Sequence, residues 1–162
     1  MTTTKTLDLI KLIASIVICL IAGALGSFFT TPAIPTWYAT LIKPSIAPPN
    51  WVFFPVWTAL FIMMGISLFL VWQKGLQDQQ VKTALSIFTI QLILNVLWSA
   101  AFFGLRSPIA GLIVISILWV FILAMIPRFM KISRVAGLLL IPYLLWVSFA
   151  SIINFLIWRL NG

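Results

Sequence analysis

Five stretches of this chain carry no charged residue: 12–42, 44–73, 83–105, 107–127 and 135–158, which are 31, 30, 23, 21 and 24 residues long. A helix crosses a hydrocarbon layer of about 30 Å with roughly 20 apolar residues. Each stretch therefore has room for one crossing. The runs of Leu, Ile and Val lack the alternation of a membrane β-strand. Only 7% of the residues are charged, whereas about a quarter are in an ordinary soluble domain. The fold expected is an all-α integral membrane protein, a bundle of five transmembrane helices.

No polar or low-complexity linker divides the chain, so one domain is expected over 1–162. The first two stretches are longer than a crossing needs. Their surplus falls at about 30–50, where Pro32, Pro35, Pro44, Pro48 and Pro49 cluster. Prolines at this density argue against continuous helix. A Pro-rich first loop is expected there, with a short interfacial helix at 37–42. The five helices are expected at about 7–29, 50–72, 81–104, 109–127 and 135–159. Asn50 would cap the second, and Pro55 would kink or fray its start. Residues 128–134 would form a basic turn. Lys5 and Lys11 ahead of the first run resemble a signal peptide, but 12–29 is long for one, and it is read as a crossing.

The net charge of +8 would suggest a nucleic-acid partner on a soluble protein. Here the cations sit in short loops and set topology instead, and no nucleic acid is expected. Lys5, Lys11, Lys74, Lys82, Arg128, Lys131 and Arg134 fall on one side, and Lys43, Arg106 and Arg159 on the other. This asymmetry places the N-terminus in the cytoplasm and the C-terminus outside, in what is read as a bacterial cell membrane. The chain has no His and a single Cys, Cys19. Imidazole-based metal sites and an intrachain disulfide are thereby excluded, and no metal or required cofactor is expected. Asp8 and Asp78 both lie at loop edges, so no carboxylate pair is available for acid–base catalysis.

Polar residues within a membrane span need partners and often mark function. Gln91, Asn95 and Trp98, at i, i+4 and i+7, share one face of the third helix, and Phe102 extends it. Tyr143, Trp146, Ala150 and Asn154 share a face of the fifth, with Pro142 beside it. Trp51, Phe54 and Thr58 continue a face of the second. Together these faces could line one cavity near the Pro-rich loop, suited to a flat, apolar ligand. The competing reading is that the amides only tie helices together. For Gln91 and Asn95 both readings stand open, whereas Asn154 is read as a tie. Trp72 and Trp158 fit an interfacial aromatic belt, and Trp119 fits mid-helix packing. On the first helix Ala22, Gly23, Gly26 and Ser27 form a small-residue face, read as packing within the chain or as a dimer contact.

Several strings then converge: Trp37-Tyr38 followed by Lys43-Pro44; Pro48-Pro49-Asn50-Trp51-Val52-Phe53 and Pro55-Val56-Trp57; Gln91-Leu92 with Asn95, Trp98 and Phe102-Phe103-Gly104; and Pro142-Tyr143-Leu144 with Trp146, Phe149-Ala150, Asn154 and Trp158-Arg159. In this order and spacing they resemble the TspO/MBR family, which includes the mitochondrial translocator protein. The resemblance covers nearly the whole chain. It implies a five-helix bundle, often a homodimer, that binds porphyrins and, in animals, cholesterol and benzodiazepine-type or isoquinoline-carboxamide drugs. By motif position, Trp51, Asn95, Trp98, Tyr143, Trp146 and Ala150 would be ligand-binding residues. It also implies an alternative, light-dependent porphyrin degradation in which the porphyrin is substrate and Trp51 and Trp146 are the reactive residues. A transporter of tetrapyrroles or other hydrophobic ligands is a further alternative. Where the animal cholesterol motif has Tyr, this chain has Phe155.

Overall fold

The computed structural model describes residues 2–162, with side chains from Lys5 onward. Its helices are α1 (Thr2–Ala33), α2 (Phe53–Trp72), α3 (Gln79–Ser99), α4 (Pro108–Ile132), α5 (Arg134–Leu139) and α6 (Ile141–Asn161). A 3₁₀ turn, Asn50–Val52, leads into α2, and π-helical segments extend α1 over Ile34–Tyr38 and α3 over Ala100–Gly104. Among the described residues these elements make five spans long and apolar enough to cross a membrane: Lys5–Tyr38, Asn50–Trp72, Gln79–Gly104, Pro108–Ile132 and Arg134–Asn161.

Burial is distributed as a bilayer demands. Gln91, Asn95, Asn154, Ser67 and Ser15 are buried, while Ile13, Phe28, Ile113, Val120 and Leu145 face outward. Lipid cannot satisfy a polar group, so polar side chains turn inward to one another. The protein is an integral membrane five-helix bundle. Helix α1 packs on α2 and α3, α4 on α3 and α6, and α5 bridges α2 and α4. Helices α1 and α2 approach closely at Gly65, where a Cβ would lie 2.5 Å from Ile16 Cα. No side chain fits there.

Three expectations about helix boundaries need correction, and proline is involved in each. First, the first helix does not stop near residue 29. It runs through Pro32 and Pro35 to Thr40, so 37–42 is no separate interfacial helix and the true loop is only 41–49. Each proline removes one backbone donor; Pro32 lies in α-helix, and Pro35 lies in the π-helical segment that follows it. Threonine hydroxyls supply donors nearby: Thr36 Oγ1 donates to Pro32 O at 2.7 Å and Thr30 Oγ1 to Gly26 O at 3.1 Å. Second, α4 continues through Pro127 to Ile132, so most of the expected basic turn is helical. Arg128 Nη1 donates to Ala124 O at 2.6 Å. Third, the fifth span is broken at Leu140, because Pro142 has no N–H to carry the helix through. Asn50 also departs from expectation. It is the first residue of the 3₁₀ turn, and the cap position is held by Pro49, with no side-chain cap.

Serine and aspartate close the remaining turns. Asp78 accepts from Gln80 N at 2.8 Å to cap α3. Ser107 accepts from Ala110 N at 3.2 Å to cap α4. The loop 41–49 is tied across the bundle by Asn161. Ile42 N donates to Asn161 Oδ1, and Asn161 Nδ2 donates to Ile42 O, both at 2.9 Å.

Candidate functional site

The π segments of the first and third spans meet at the loop end of the bundle. Trp37 and Phe102 rings are 5.5 Å apart, Tyr38 and Phe103 5.7 Å. Beneath this cap the aromatic set continues inward. Trp57 stacks on Phe61 at 5.7 Å, approaches Trp98 at 6.0 Å and meets Tyr143 edge-on at 6.4 Å. Each such pair adds about 0.5–1.5 kcal/mol beyond its burial, so the set is a stiff wall.

That wall has space on both sides. The larger cavity, about 340 Å³, lies between α1, α2 and α3. Gly23, Ala24, Gly26 and Ser27 of α1 form one side, Phe53, Trp57, Thr58 and Phe61 the second, and Asn95, Trp98, Ser99 and Phe103 the third. Gly23 and Gly26 of α1 pack against other spans of the chain. A Cβ on Gly26 would stand 3.1 Å from Ser99 Oγ, and one on Gly23 would meet the Phe61 ring at 2.8 Å. The smaller void, about 20 Å³, lies toward α6, among Tyr38, Phe53, Trp98, Trp146, Phe149 and Ala150. Phe53, Trp98 and Phe103 border both.

A chain of hydrogen bonds runs behind the larger cavity. Asn95 Nδ2 donates to Tyr143 Oη at 2.9 Å, and that hydroxyl donates to Gln91 Oε1 at 2.9 Å. Trp98 Nε1 donates to Asn154 Oδ1 at 3.1 Å, and Asn154 Nδ2 donates to Pro108 O at 2.7 Å. Gln91 and Asn154 are thus ties between spans, while Asn95 is both a tie and a cavity wall.

The six residues singled out from the sequence do not gather at one cavity. Asn95 and Trp98 line the larger one. Trp98, Trp146 and Ala150 line the smaller. Tyr143 is fully buried and borders neither, but holds Asn95. Trp51, on the 3₁₀ turn, is 74% exposed and lines neither cavity, although its neighbours Asn50 and Phe53 line the larger. Trp146 rests against Phe53 and Phe149. Its Nε1 is buried without a partner. Trp119 Nε1 pairs with Ser148 Oγ at 2.8 Å and ties α4 to α6.

Sequence reasoning missed Trp57, Phe61 and the contribution of α1. The spacing of Phe53, Trp57 and Phe61 at i, i+4 and i+8 places them on one helical face and could have revealed them. The small residues of α1 were visible as a stripe, but a stripe does not say whether it closes a gap or leaves one.

A sequence profile of the TspO/MBR family matches residues 15–159. The tryptophan-rich protein TspO of Chlorobaculum tepidum is 49% identical over 154 residues, covering 95% of this chain and 98% of that protein. The tryptophan-rich sensory protein of Cereibacter sphaeroides is 36% identical, covering 86% and 87%. The human translocator protein is also 36% identical, covering 84% and 81%.

Proposed function

The chain belongs to the TspO/MBR family, and from that premise we propose that it is a membrane receptor whose ligand is a flat, largely apolar molecule, a porphyrin or a benzodiazepine-type or isoquinoline-carboxamide compound, held between α1, α2 and α3. Sensory and translocator proteins among its relatives favour a receptor role. The observation that carries the reading is the larger cavity: about 340 Å³, walled by Phe53, Trp57, Phe61, Trp98 and Phe103, with Asn95 among them. Ligand sites are apolar, aromatic-lined, and of several hundred Å³, with few polar groups fixing orientation. Asn95 and Trp98 touch the ligand in this reading, and Tyr143 holds Asn95 in place. Trp146 and Ala150 back the shared wall, and Trp51 stands at the mouth beside Asn50.

The test is a titration of protoporphyrin IX into the full chain in lipid nanodiscs, followed by its absorption band. Saturable binding that an isoquinoline carboxamide displaces is expected. Titration indistinguishable from empty nanodiscs would overturn the reading. The charge asymmetry carries the proposed orientation. A periplasmic reporter fused after Gly162 is expected to be active, and one active only in the cytoplasm would reverse it.

A further inference from the structure

The hydrogen-bond chain behind the larger cavity has a direction, and the direction decides what the cavity offers a ligand. It begins at Met64, fully buried on α2. A thioether sulfur accepts and never donates. Gln91 sets Nε2 4.0 Å from Met64 Sδ, which turns Oε1 toward Tyr143. The Tyr143 hydroxyl has one proton and gives it to that oxygen at 2.9 Å. Its own oxygen is then left to accept, and Asn95 Nδ2 donates to it at 2.9 Å. The reverse orientation would set Gln91 Oε1 against the sulfur, acceptor facing acceptor.

Asn95 is therefore held with Oδ1 away from Tyr143. Among the described residues that oxygen accepts no hydrogen bond. Among the described residues the buried side-chain polar atoms without a partner are Ser15 Oγ and Trp146 Nε1. Asn95 Oδ1 is not one of them, so it keeps accessible surface, and Asn95 borders the larger cavity. Of the other polar groups on the wall, the Thr30 and Thr58 hydroxyls already donate to Gly26 O and Phe54 O and so also offer a ligand only an acceptor, while Asn50 carries both a donor and an acceptor. Trp98 Nε1 is committed to Asn154.

We propose that Met64, Gln91 and Tyr143 are positioning residues that make the larger cavity an acceptor site, selecting flat apolar ligands that carry an N–H or O–H donor over those carrying only acceptors. This rests on the cavity being the ligand site. It adds the chemical class that the site prefers.

Three flat three-ring probes separate the possibilities: carbazole, with an N–H donor; N-methylcarbazole, without it; and 9-fluorenone, with a carbonyl acceptor. Affinities are measured by equilibrium dialysis against the full chain in nanodiscs, with empty nanodiscs subtracted. Carbazole is expected to bind about five- to tenfold more tightly than 9-fluorenone or N-methylcarbazole. In Gln91→Leu the Tyr143 hydroxyl loses its acceptor and takes Asn95 Oδ1 instead. Asn95 then turns its Nδ2 to the cavity, and the preference inverts in favour of 9-fluorenone. A merely structural Gln91 would lower all three affinities together. Tyr143→Phe frees the Asn95 amide, and the preference should shrink to within about twofold. It serves also if Gln91→Leu does not fold. A carbazole preference that persists in either folded variant overturns the proposal. So does equal binding of all three probes to the wild type, which would leave the cavity as a site without this selectivity. If no probe binds above the blank, the acceptor proposal falls, and the protoporphyrin titration decides separately whether the cavity is the ligand site.

Discussion

The two spaces beside the aromatic wall share Phe53, Trp98 and Phe103, yet one holds about 340 Å³ and the other about 20 Å³. The difference comes from the helix that closes each. Helix α1 closes the larger with Gly23, Ala24, Gly26 and Ser27, whose side chains reach almost nowhere. Helix α6 closes the smaller with Trp146, Phe149, Ile153 and Ile157, which fill what they border. The polar groups differ in the same sense. Asn95 lines the larger cavity, and its oxygen is the acceptor proposed above, whereas the Trp146 N–H is sealed and unpaired. Similar aromatic content therefore gives a receptive space on one side and a packed seam on the other. Residue size on the closing helix decides which.

Filling the larger cavity should have the largest effect. Thr58→Phe sets a ring into it from α2, and protoporphyrin affinity should fall about a hundredfold or more in the nanodisc titration, with helical content unchanged. Ala150→Phe makes the same kind of change on the other side of the wall. There the ring has only about 20 Å³ to enter, and overpacking of this kind costs about 1–3 kcal/mol. A lowered unfolding midpoint with affinity within about threefold of wild type is expected. If Ala150→Phe instead abolishes binding while Thr58→Phe leaves it intact, the roles of the two spaces are exchanged.

Smaller effects sharpen the comparison. Asn154→Leu removes the acceptor of Trp98 Nε1 and the donor to Pro108 O. Interhelical hydrogen bonds in membranes average about 0.6 kcal/mol each, so a loss of about 1–2 kcal/mol in denaturant unfolding is expected. Asn161→Ala releases the loop 41–49 from the end of α6. The loop borders the mouth where Asn50 stands, so ligand association and dissociation in stopped-flow should both quicken by a few-fold, with Kd nearly constant. A change in Kd with unchanged rates would show that the clamp acts on the bound state rather than on entry.

The five spans were legible because charge and hydropathy act through the bilayer, and 12–42, 44–73, 83–105, 107–127 and 135–158 each fall largely within one helical span. Helix ends were less legible. Pro32, Pro35 and Pro127 lie within helix that proline rules would end, because a span packed among its neighbours tolerates the loss of one backbone donor. Pro142 did break its span, so the residue type alone does not decide. For the site, periodicity exposed Gln91, Asn95, Trp98, Tyr143 and Asn154 as inward-facing polar or aromatic residues, and the structure buries all five. Which of them border a space, and which space, was not legible. It depends on how far each helix is rotated about its axis and on the gap left by α1, and neither leaves a periodic mark. The Asn161 clamp joins residues 119 positions apart, and nothing local announces it.

Whether the ligand lies between α1, α2 and α3 is tested directly by a crystal of the full chain with a bromine-bearing flat ligand, such as 3-bromocarbazole, through the anomalous signal of the bromine. The bromine peak and the ring density are expected among Gly23, Thr58, Asn95 and Trp98. A peak seated against Trp146 and Ala150, with the space beside α1 empty, would contradict that placement.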